Sequence, residues 1–332
     1  MDPVTHILSG VLWSRTALGA RAGRAALIVT AVAAELPDID YLTLRFAGPL
    51  AYLKYHRGFT HSLAGSLVVV PLYALTARFL LARLPPGSAA VPSLASVTAL
   101  AFTGYYTHMA LDVITSYGTE LLYPLSGRRY ALDLVFIIDP ILTAVIVAGI
   151  WAGRRAGPRA AALFVALAVS YLVFVHSVKE AAMAAAAAAL DDRGVEAELL
   201  DAVPMPLSPF RWSVFFDGGD EFLQVKVDEA RGTAAVERFG KEGFSGMDEG
   251  EFRSLMAGVR SLDVAGVYLR FARHPIVRAF RRGEGYEVEY YDLRFNLVEG
   301  RRPFLLRLRL DGRRELRDVV LTFHTLKAEG ED

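Results

Sequence analysis

Long apolar runs separated by short polar stretches fill the N-terminal part of the chain. The runs cover residues 4–20, 25–36, 63–84, 94–115, 141–151 and 158–175, and the last continues into an alanine-rich stretch at 181–189. Runs of roughly 20 apolar residues have the length of a membrane-spanning helix. The first run carries serines and an arginine, so we expect its helix to span only partly. The pattern therefore predicts an α-helical polytopic membrane domain of about six helices, the first one partial, over residues 1–190.

The pattern changes to strand-like alternation after residue 190. Residues 222–227 and 234–239 alternate apolar and polar side chains on either side of Arg231-Gly232, which is typical of a β-hairpin. Further strand-like runs lie at 264–271, 286–295, 304–310 and 319–325. Residues 191–332 are therefore predicted to form a small β-rich soluble domain.

Local signals mark several element boundaries. Asp2-Pro3 favours a helix start, because Asp caps free N–H groups and Pro suits the first helical position. Pro37 is expected to end the second helix at the preceding residue. Gly48-Pro49 predicts a loop, and Asp133 and Asp139 are predicted helix caps.

Composition supports the membrane interpretation and restricts the chemistry. The chain is 53% hydrophobic and 22% charged, which is apolar for a soluble domain. Lys and Arg total 36 and so do Asp and Glu, so no nucleic-acid partner is expected. With no cysteine, a metal site would depend on histidine and carboxylate ligands. Nothing in the sequence indicates the oligomeric state.

Polar clusters lie at the ends of the apolar runs. They are His6, the group Glu35/Asp38/Asp40, the stretch His56-Arg57-Gly58-Phe59-Thr60-His61-Ser62, the pair His108/Asp112 and the pair Asp133/Asp139. If all six runs span, alternation brings these clusters and the soluble domain to one face of the membrane. Basic residues are more numerous at the opposite ends of the runs, eight against five. The positive-inside rule then predicts a multi-pass protein of the cytoplasmic membrane, with the site and the soluble domain on the extracytoplasmic side.

Imidazole and carboxylate groups in this pattern indicate a divalent metal site. His108 and Asp112 are four residues apart and share one helix face. The clusters hold enough ligands for one or two ions. Arg57 suits an anion clamp for a phosphate, and Asp40 or Glu35 suits an orienting or proton-accepting carboxylate.

Several of these residues also have an ordinary structural interpretation. Taken alone, His6 is an interfacial histidine and Glu35 a solvated carboxylate. His176 is expected to make a structural hydrogen bond. His274 and His324 have no neighbours at metal-ligand spacing.

The ordered set of motifs resembles the YdjM-like family of bacterial and archaeal membrane-bound metal-dependent hydrolases. The resemblance covers roughly residues 1–180 and rests on Thr5-His6, Leu36-Pro37-Asp38-Ile39-Asp40, the His56–Ser62 stretch and His108-x-x-x-Asp112. That family is in turn distantly similar to zinc-dependent phospholipases C and zinc nucleases. The resemblance implies these metal ligands: His6, Asp38, His56, His61, His108 and Asp112. Zinc is the expected metal, with manganese as an alternative.

Together these observations predict a membrane-embedded hydrolase that uses metal-activated water on a phosphoester. Its expected partner is membrane lipid, and its expected substrate is a phospholipid or another phosphoester. A metal-ion or proton transporter is the first alternative, because intramembrane His and Asp also mark ion pathways. A non-catalytic membrane platform for the β-rich domain is the second. A transporter would carry polar residues through the middle of several spans, whereas here they crowd toward one end.

Overall fold

The computed structural model describes residues 1–84, 91–297 and 302–323. These residues form two compact units. The first comprises Met1–Leu42, Tyr55–Glu180 and Pro206–Pro209, and the second comprises the other described residues. The domain boundary at residue 190 stays a prediction.

The N-terminal part of the chain is helical. In order, it contains α1 (Pro3–Arg15), α2 (Ala17–Ala20), α3 (Gly23–Ala33), a first 3-10 turn (Pro37–Tyr41), α4 (Leu42–Tyr55), a second 3-10 turn (Phe59–His61), α5 (Leu63–Leu81), α6 (Leu94–Val113), α7 (Pro140–Ala156) and α8 (Pro158–Asp191).

Most of the predicted helix boundaries are confirmed. Asp2 caps α1 and accepts a hydrogen bond from the Thr5 backbone nitrogen at 3.0 Å. Helix α3 ends at Ala33, three residues before the predicted end, and Pro37 opens the first 3-10 turn. Asp139 caps α7 through the Leu142 nitrogen at 2.8 Å, whereas Asp133 lies in the preceding loop.

The predicted loop around Gly48 is wrong, because residues 42–55 form α4. Gly48 has φ 82° and ψ 178°, so it kinks the helix where Pro49 follows. Glycine tolerates this left-handed φ without steric cost, and the chain on both sides stays helical.

The prediction of a polytopic domain of about six membrane helices is wrong. Among the described residues only α5 and α8 are long and apolar enough to cross a membrane. A span needs roughly 20 apolar residues, and α3 has 11. Helix α6 has 20 residues but includes His108 and Asp112, which lie on its buried face. Apolar runs therefore overcounted the spans, and the alternation argument for one shared face loses its basis.

Two glycines bring α1 and α6 against α3 at one point. A Cβ on Gly10 or on Gly104 would lie 2.4 Å from the carbonyl oxygen of Thr30 in α3. The Thr30 hydroxyl also donates to the Gly10 carbonyl at 2.7 Å. Only glycine allows this backbone approach, so Thr30 sets the positions of both helices. Consequently His6 of α1 and His108 of α6 stack, with ring centroids 3.7 Å apart.

After α8, the described residues of the second unit form two sheets and two α-helices. The elements in chain order are β1 (Glu198–Pro204), β2 (Arg211–Asp217), β3 (Glu221–Asp228), β4 (Thr233–Gly240), β5 (Glu242–Ser245), α9 (Glu249–Arg260), α10 (Asp263–Phe271), β6 (Pro275–Arg282), β7 (Gly285–Asp292), β8 (Leu305–Leu310) and β9 (Leu316–Thr322). One sheet has the order β1-β2-β3-β4, and the other has β5-β6-β7-β8-β9. All pairs are antiparallel except β5 with β6.

The strand predictions are mostly confirmed. The hairpin around Arg231-Gly232 is β3–β4, with Val225 opposite Val236. The run at 286–295 overlaps β7, and the run at 304–310 contains β8. The run at 319–325 overlaps β9 and continues beyond the described residues. The strand at 264–271 is wrong, because this segment is α10. Its apolar side chains recur at helical spacing, which buries one face of the helix.

Candidate metal centre

Four side chains converge from three separate segments of the first unit. Asp38 lies on the first 3-10 turn, His61 ends the second, and His108 and Asp112 lie one turn apart on α6. One ligand atom from each lies within 4.8 Å of the others, so the group is positioned to hold a metal ion. His61, His108 and Asp112 are fully buried, and Asp38 is the most accessible of the four.

The distances between these atoms fit a tetrahedral ion. His61 Nε2 lies 3.1 Å from His108 Nε2, and both nitrogens lie 3.3 Å from Asp112 Oδ2. Asp38 Oδ1 is 3.3 Å from His61 Nε2 and 3.7 Å from His108 Nε2. Ligand bonds of about 2.0–2.1 Å, as for zinc, give tetrahedral edges of about 3.4 Å.

Both imidazoles are held through their other ring nitrogen. His108 Nδ1 lies 2.6 Å from the Ala34 carbonyl oxygen, which can only accept, so Nδ1 carries the proton. His61 Nδ1 lies 3.2 Å from Asp40 Oδ2 and 3.2 Å from the Thr60 hydroxyl. A metal-binding histidine commonly has such a partner, which leaves Nε2 as the ligand.

Unpaired polar atoms in the centre also indicate a cation. Among the described residues, Asp112 Oδ2 and both ring nitrogens of His6 are buried without a hydrogen-bond partner. Buried polar atoms without a partner are costly, and an ion held by the four side chains would partner Asp112 Oδ2. Although burial lowers the pKa of His61, the adjacent carboxylates of Asp112, Asp38 and Asp40 raise it to about 10. The carboxylates thus favour positive charge at this point.

Asp40 organises the two 3-10 turns. Its carboxylate lies 2.8 Å from His56 Nδ1 and accepts from the Arg57 backbone nitrogen and the Thr60 hydroxyl, each at 3.0 Å. Burial would raise the pKa of Asp40, but hydrogen bonds from His56 and His61 hold it well below its usual range. His56 therefore faces Asp40 and not His108. Asp38, Asp40 and His56 form a second group, whose ligand atoms lie within 4.8 Å of one another. Asp38 therefore belongs to both groups.

Arg57 binds a member of the metal group directly. Its Nη2 donates to Asp112 Oδ1 at 2.7 Å, and its Nη1 donates to the Thr115 hydroxyl at 3.1 Å. The guanidinium is buried and packs over the Tyr117 ring, 4.9 Å from the centroid. This geometry makes Arg57 an anchor for Asp112; its role as an anion clamp stays a prediction.

His6 and Glu35 flank the four converging side chains. The His6 ring stacks on His108, and its Nε2 lies 3.3 Å from Asp112 Oδ1. Glu35 has a buried Oε1 without a hydrogen-bond partner among the described residues. Burial, assisted by the charge of Asp38, raises the pKa of Glu35 to about 7.

The other histidines are elsewhere. His176 is exposed on α8 and lies 3.9 Å from Glu180, and His274 of the second unit lies 2.8 Å from Asp201. His324 lies outside the described residues. The sequence interpretation missed Thr60, Thr115 and the Ala34 carbonyl. Thr60 could have been suspected because it adjoins His61, but no local signal marks a backbone carbonyl.

Two of three comparisons with known proteins find a match. A family model described as YdjM inner membrane protein matches residues 1–182, more than half of the chain. The Bacillus subtilis (strain 168) protein named "Uncharacterized protein YfhP" is 30% identical over 159 residues, which is 42% of this chain and 42% of that protein. The chain thus matches less than half the length of this relative. No solved structure matches the chain.

Proposed function

The chain belongs to the YdjM inner membrane protein family, and from that membership we propose that it is a metal-dependent hydrolase of phosphoesters. One observation carries the proposal: ligand atoms of Asp38, His61, His108 and Asp112 converge within 4.8 Å, and Asp112 Oδ2 is otherwise unpartnered. The phosphoester class is supported by the distant similarity of that family to zinc-dependent phospholipases C.

The donor set suits zinc. Two imidazole nitrogens and two carboxylate oxygens are common zinc ligands, and manganese also accepts such a set. A bound divalent cation supplies Lewis-acid activation of water and of a phosphoryl oxygen. Of the four side chains that would hold it, Asp38 is the most accessible, so we assign the substrate side of the centre to Asp38.

The surrounding residues divide the remaining tasks. Arg57 fixes Asp112 through Oδ1 and leaves Oδ2 for the ion. Asp40 orients His61 and joins the two 3-10 turns. Glu35 accepts the proton that the attacking water loses, because its pKa of about 7 allows both protonation states near neutral pH. His6 closes the buried side of the centre by stacking on His108.

The transporter alternative has less support. An ion pathway needs polar groups along the length of the spans. The buried face of α5 beyond its first turn is Val70, Ala74, Ala77 and Leu81. The titratable groups instead gather where α6 ends and the two 3-10 turns begin, which favours a localised site.

We also propose that the site faces the extracytoplasmic side of the membrane. The support is the arginines beside the two candidate spans, Arg78 and Arg83 at the end of α5 and Arg154, Arg155 and Arg159 around the start of α8. Modification of a cysteine introduced at Ile39, which is exposed beside Asp38, would test this in intact cells. Labelling by an impermeant thiol reagent is expected, and labelling only after lysis would reverse the orientation.

Metal analysis and hydrolysis assays on the same preparation test the function. The full chain is purified in detergent, loaded with zinc or manganese, and assayed on phospholipids, prenyl phosphates and bis(p-nitrophenyl) phosphate. We expect turnover that is lost in Asp112→Asn and retained in His176→Ala, whose histidine is exposed on α8. Stoichiometric metal with no turnover of any phosphoester would contradict the proposal and favour the transporter.

A further inference from the structure

An apolar groove lies between α1, α6, α7 and α8, within the first unit. Its volume is about 400 Å³, which is in the range of small-molecule sites. Leu12 and Trp13 line it from α1, Leu111 from α6, Leu142 and Ile146 from α7, and Leu172 from α8. None of its lining residues is charged.

The few hydroxyl groups in the groove are already used. Ser9 donates to the His6 carbonyl at 2.7 Å, Thr107 to the Thr103 carbonyl at 2.7 Å, and Thr103 to the Ala99 carbonyl at 2.9 Å. These three bonds each lie within one helix, and the Tyr106 hydroxyl lies 3.0 Å from Ser66 Oγ. The wall therefore presents mainly carbon to an occupant. A peptide would leave its amide groups unpaired there, which is costly. A helix, with a diameter of about 10 Å, does not fit a cleft of this size.

The groove begins beside the metal centre. Leu111 precedes Asp112 in α6, and Ser9 lies one turn after His6 in α1. From there the lining continues along both helices, to Thr103 in α6 and Trp13 in α1. The distance along α6 from Asp112 to Thr103 is about 13 Å at 1.5 Å per residue. One helix thus carries two metal-group residues on one face and the apolar wall on the adjacent face.

We propose that this groove holds the hydrocarbon tail of an amphiphilic phosphoester whose head group reaches the metal centre. The proposal rests on the proposed function and specifies its substrate class. A groove that buries methylene groups from water should favour longer tails by about fourfold per methylene, until its length is filled. Recognition of the tail and reaction of the head are then separate properties that different variants can change.

A matched pair of alanines in α8 tests the groove. Ala168 lines it, whereas Ala166 on the same helix is exposed and does not. Phenylalanine at Ala168 fills the space; phenylalanine at Ala166 adds the same bulk outside it. The substrates are the methyl and octyl esters of p-nitrophenyl phosphate, assayed with the zinc-loaded full chain in one detergent.

We expect Ala168→Phe to lower kcat/KM for the octyl ester at least tenfold and for the methyl ester less than twofold. Ala166→Phe should change neither by more than twofold, and bound zinc should be equal in all three proteins. An unchanged ratio of octyl to methyl ester activity in Ala168→Phe would overturn the proposal that the groove binds the tail. Turnover of the methyl ester would still support the proposed function.

Trp13 supplies a measurement that does not depend on turnover, because it lines the groove. The probe is an alkyl phosphonate with bromine at the end of an eight-carbon tail, which quenches a nearby indole. We expect quenching of the fluorescence that is lost in Trp13→Phe, reduced at least fivefold in Ala168→Phe, and retained in Ala166→Phe. If neither ester is hydrolysed but this quenching pattern holds, tail binding in the groove is supported and the proposed hydrolase function is contradicted. Equal quenching in Ala168→Phe and Ala166→Phe would overturn the proposal that the groove binds the tail.

Discussion

The Nε2 atoms of His61 and His108 lie 3.1 Å apart, at the point where two carboxylates also meet. His108 is fixed by the Ala34 carbonyl through its Nδ1, so its Nε2 presents a lone pair. His61 comes from a different segment and presents its Nε2 to the same point. A proton between the two nitrogens or a cation among the four side chains satisfies this arrangement, and the tetrahedral spacing favours a cation.

Replacing one of the four converging metal-site side chains is expected to abolish metal binding. His61→Ala and Asp112→Ala should each reduce bound zinc or manganese in purified protein to the background level, because three ligands remain and the neighbouring carboxylates lose their orientation. Metal analysis by mass spectrometry gives the measurement. His176→Ala is the control, since that side chain is exposed on α8. Full metal content in both ligand variants would exclude this site.

Replacing Arg57 by Met separates its two interpretations. As the anchor of Asp112 Oδ1, the guanidinium orients a ligand, and loss of such a contact typically weakens metal binding 10–100-fold. Zinc affinity in competition with a chromophoric chelator is the measurement. An unchanged zinc affinity with a raised KM would instead support the anion clamp.

Glu35→Gln should lower kcat and leave the metal in place. Glu35 is not one of the four converging ligands, and its partner-free Oε1 and raised pKa suit a proton acceptor. Loss of a general base typically costs about 10²–10⁴-fold in rate. Steady-state kinetics with metal analysis on the same sample measure both quantities. If the Glu35→Gln variant retains wild-type kcat, the proton goes elsewhere.

Gly104→Ala should lower the free energy of unfolding of the first unit. The added Cβ would lie 2.4 Å from the Thr30 carbonyl oxygen and 2.9 Å from Ala33 Cβ, so α6 must move away from α3. Overpacking of this kind costs about 1–3 kcal/mol. Gly258→Ala in α9 is the control, because a Cβ there meets no atom within 4 Å. Thermal unfolding in detergent should show a lower midpoint for the Gly104 variant only, together with weaker zinc binding.

The second unit should lose stability in acid through Asp201. Burial would raise its pKa, but hydrogen bonding to His274 and the charges of Arg273 and Arg294 lower it to about 2. A depressed carboxyl pKa stabilises the fold above the ordinary value of 3.8 and stops doing so as pH falls toward 2. The shift corresponds to about 2 kcal/mol.

Trp212, which is fully buried in β2, reports unfolding of this unit by fluorescence. Denaturant titrations of the full chain between pH 6 and pH 2 should show that the free energy of unfolding of this unit falls for the wild type. Asp201→Asn should be less stable at pH 6 and should lack that part of the pH dependence. Parallel curves for the two proteins would contradict the assignment.

Local chemistry made part of this architecture predictable. The cap at Asp2, the cap at Asp139 and the hairpin at Arg231-Gly232 each depend on neighbouring residues. The family could also be predicted, because its motifs are short and ordered along the chain. The hydrophobic periodicity predicted the wrong element at 264–271. The β-branched and aromatic residues of this segment are typical of a strand, but they also fit one face of α10.

The number of spans was not predictable from apolar runs alone. Hydropathy counts apolar residues, but it does not tell whether a helix faces lipid or another helix. Helix α3 buries Ala25, Ala26, Val29 and Ala33 against its neighbours, and its length is that of a packed helix and not of a span.

By itself, the sequence determined which residue types were available for the site: histidines and carboxylates at the ends of apolar runs, with no thiol to compete. The tertiary structure decided which of them meet. His56 and His61 belong to one short motif, yet His56 faces Asp40 while His61 faces His108. The physical reason is packing: Gly10 and Gly104 let α1 and α6 close on Thr30, and Asp40 fixes the two 3-10 turns, so distant segments share one point in space.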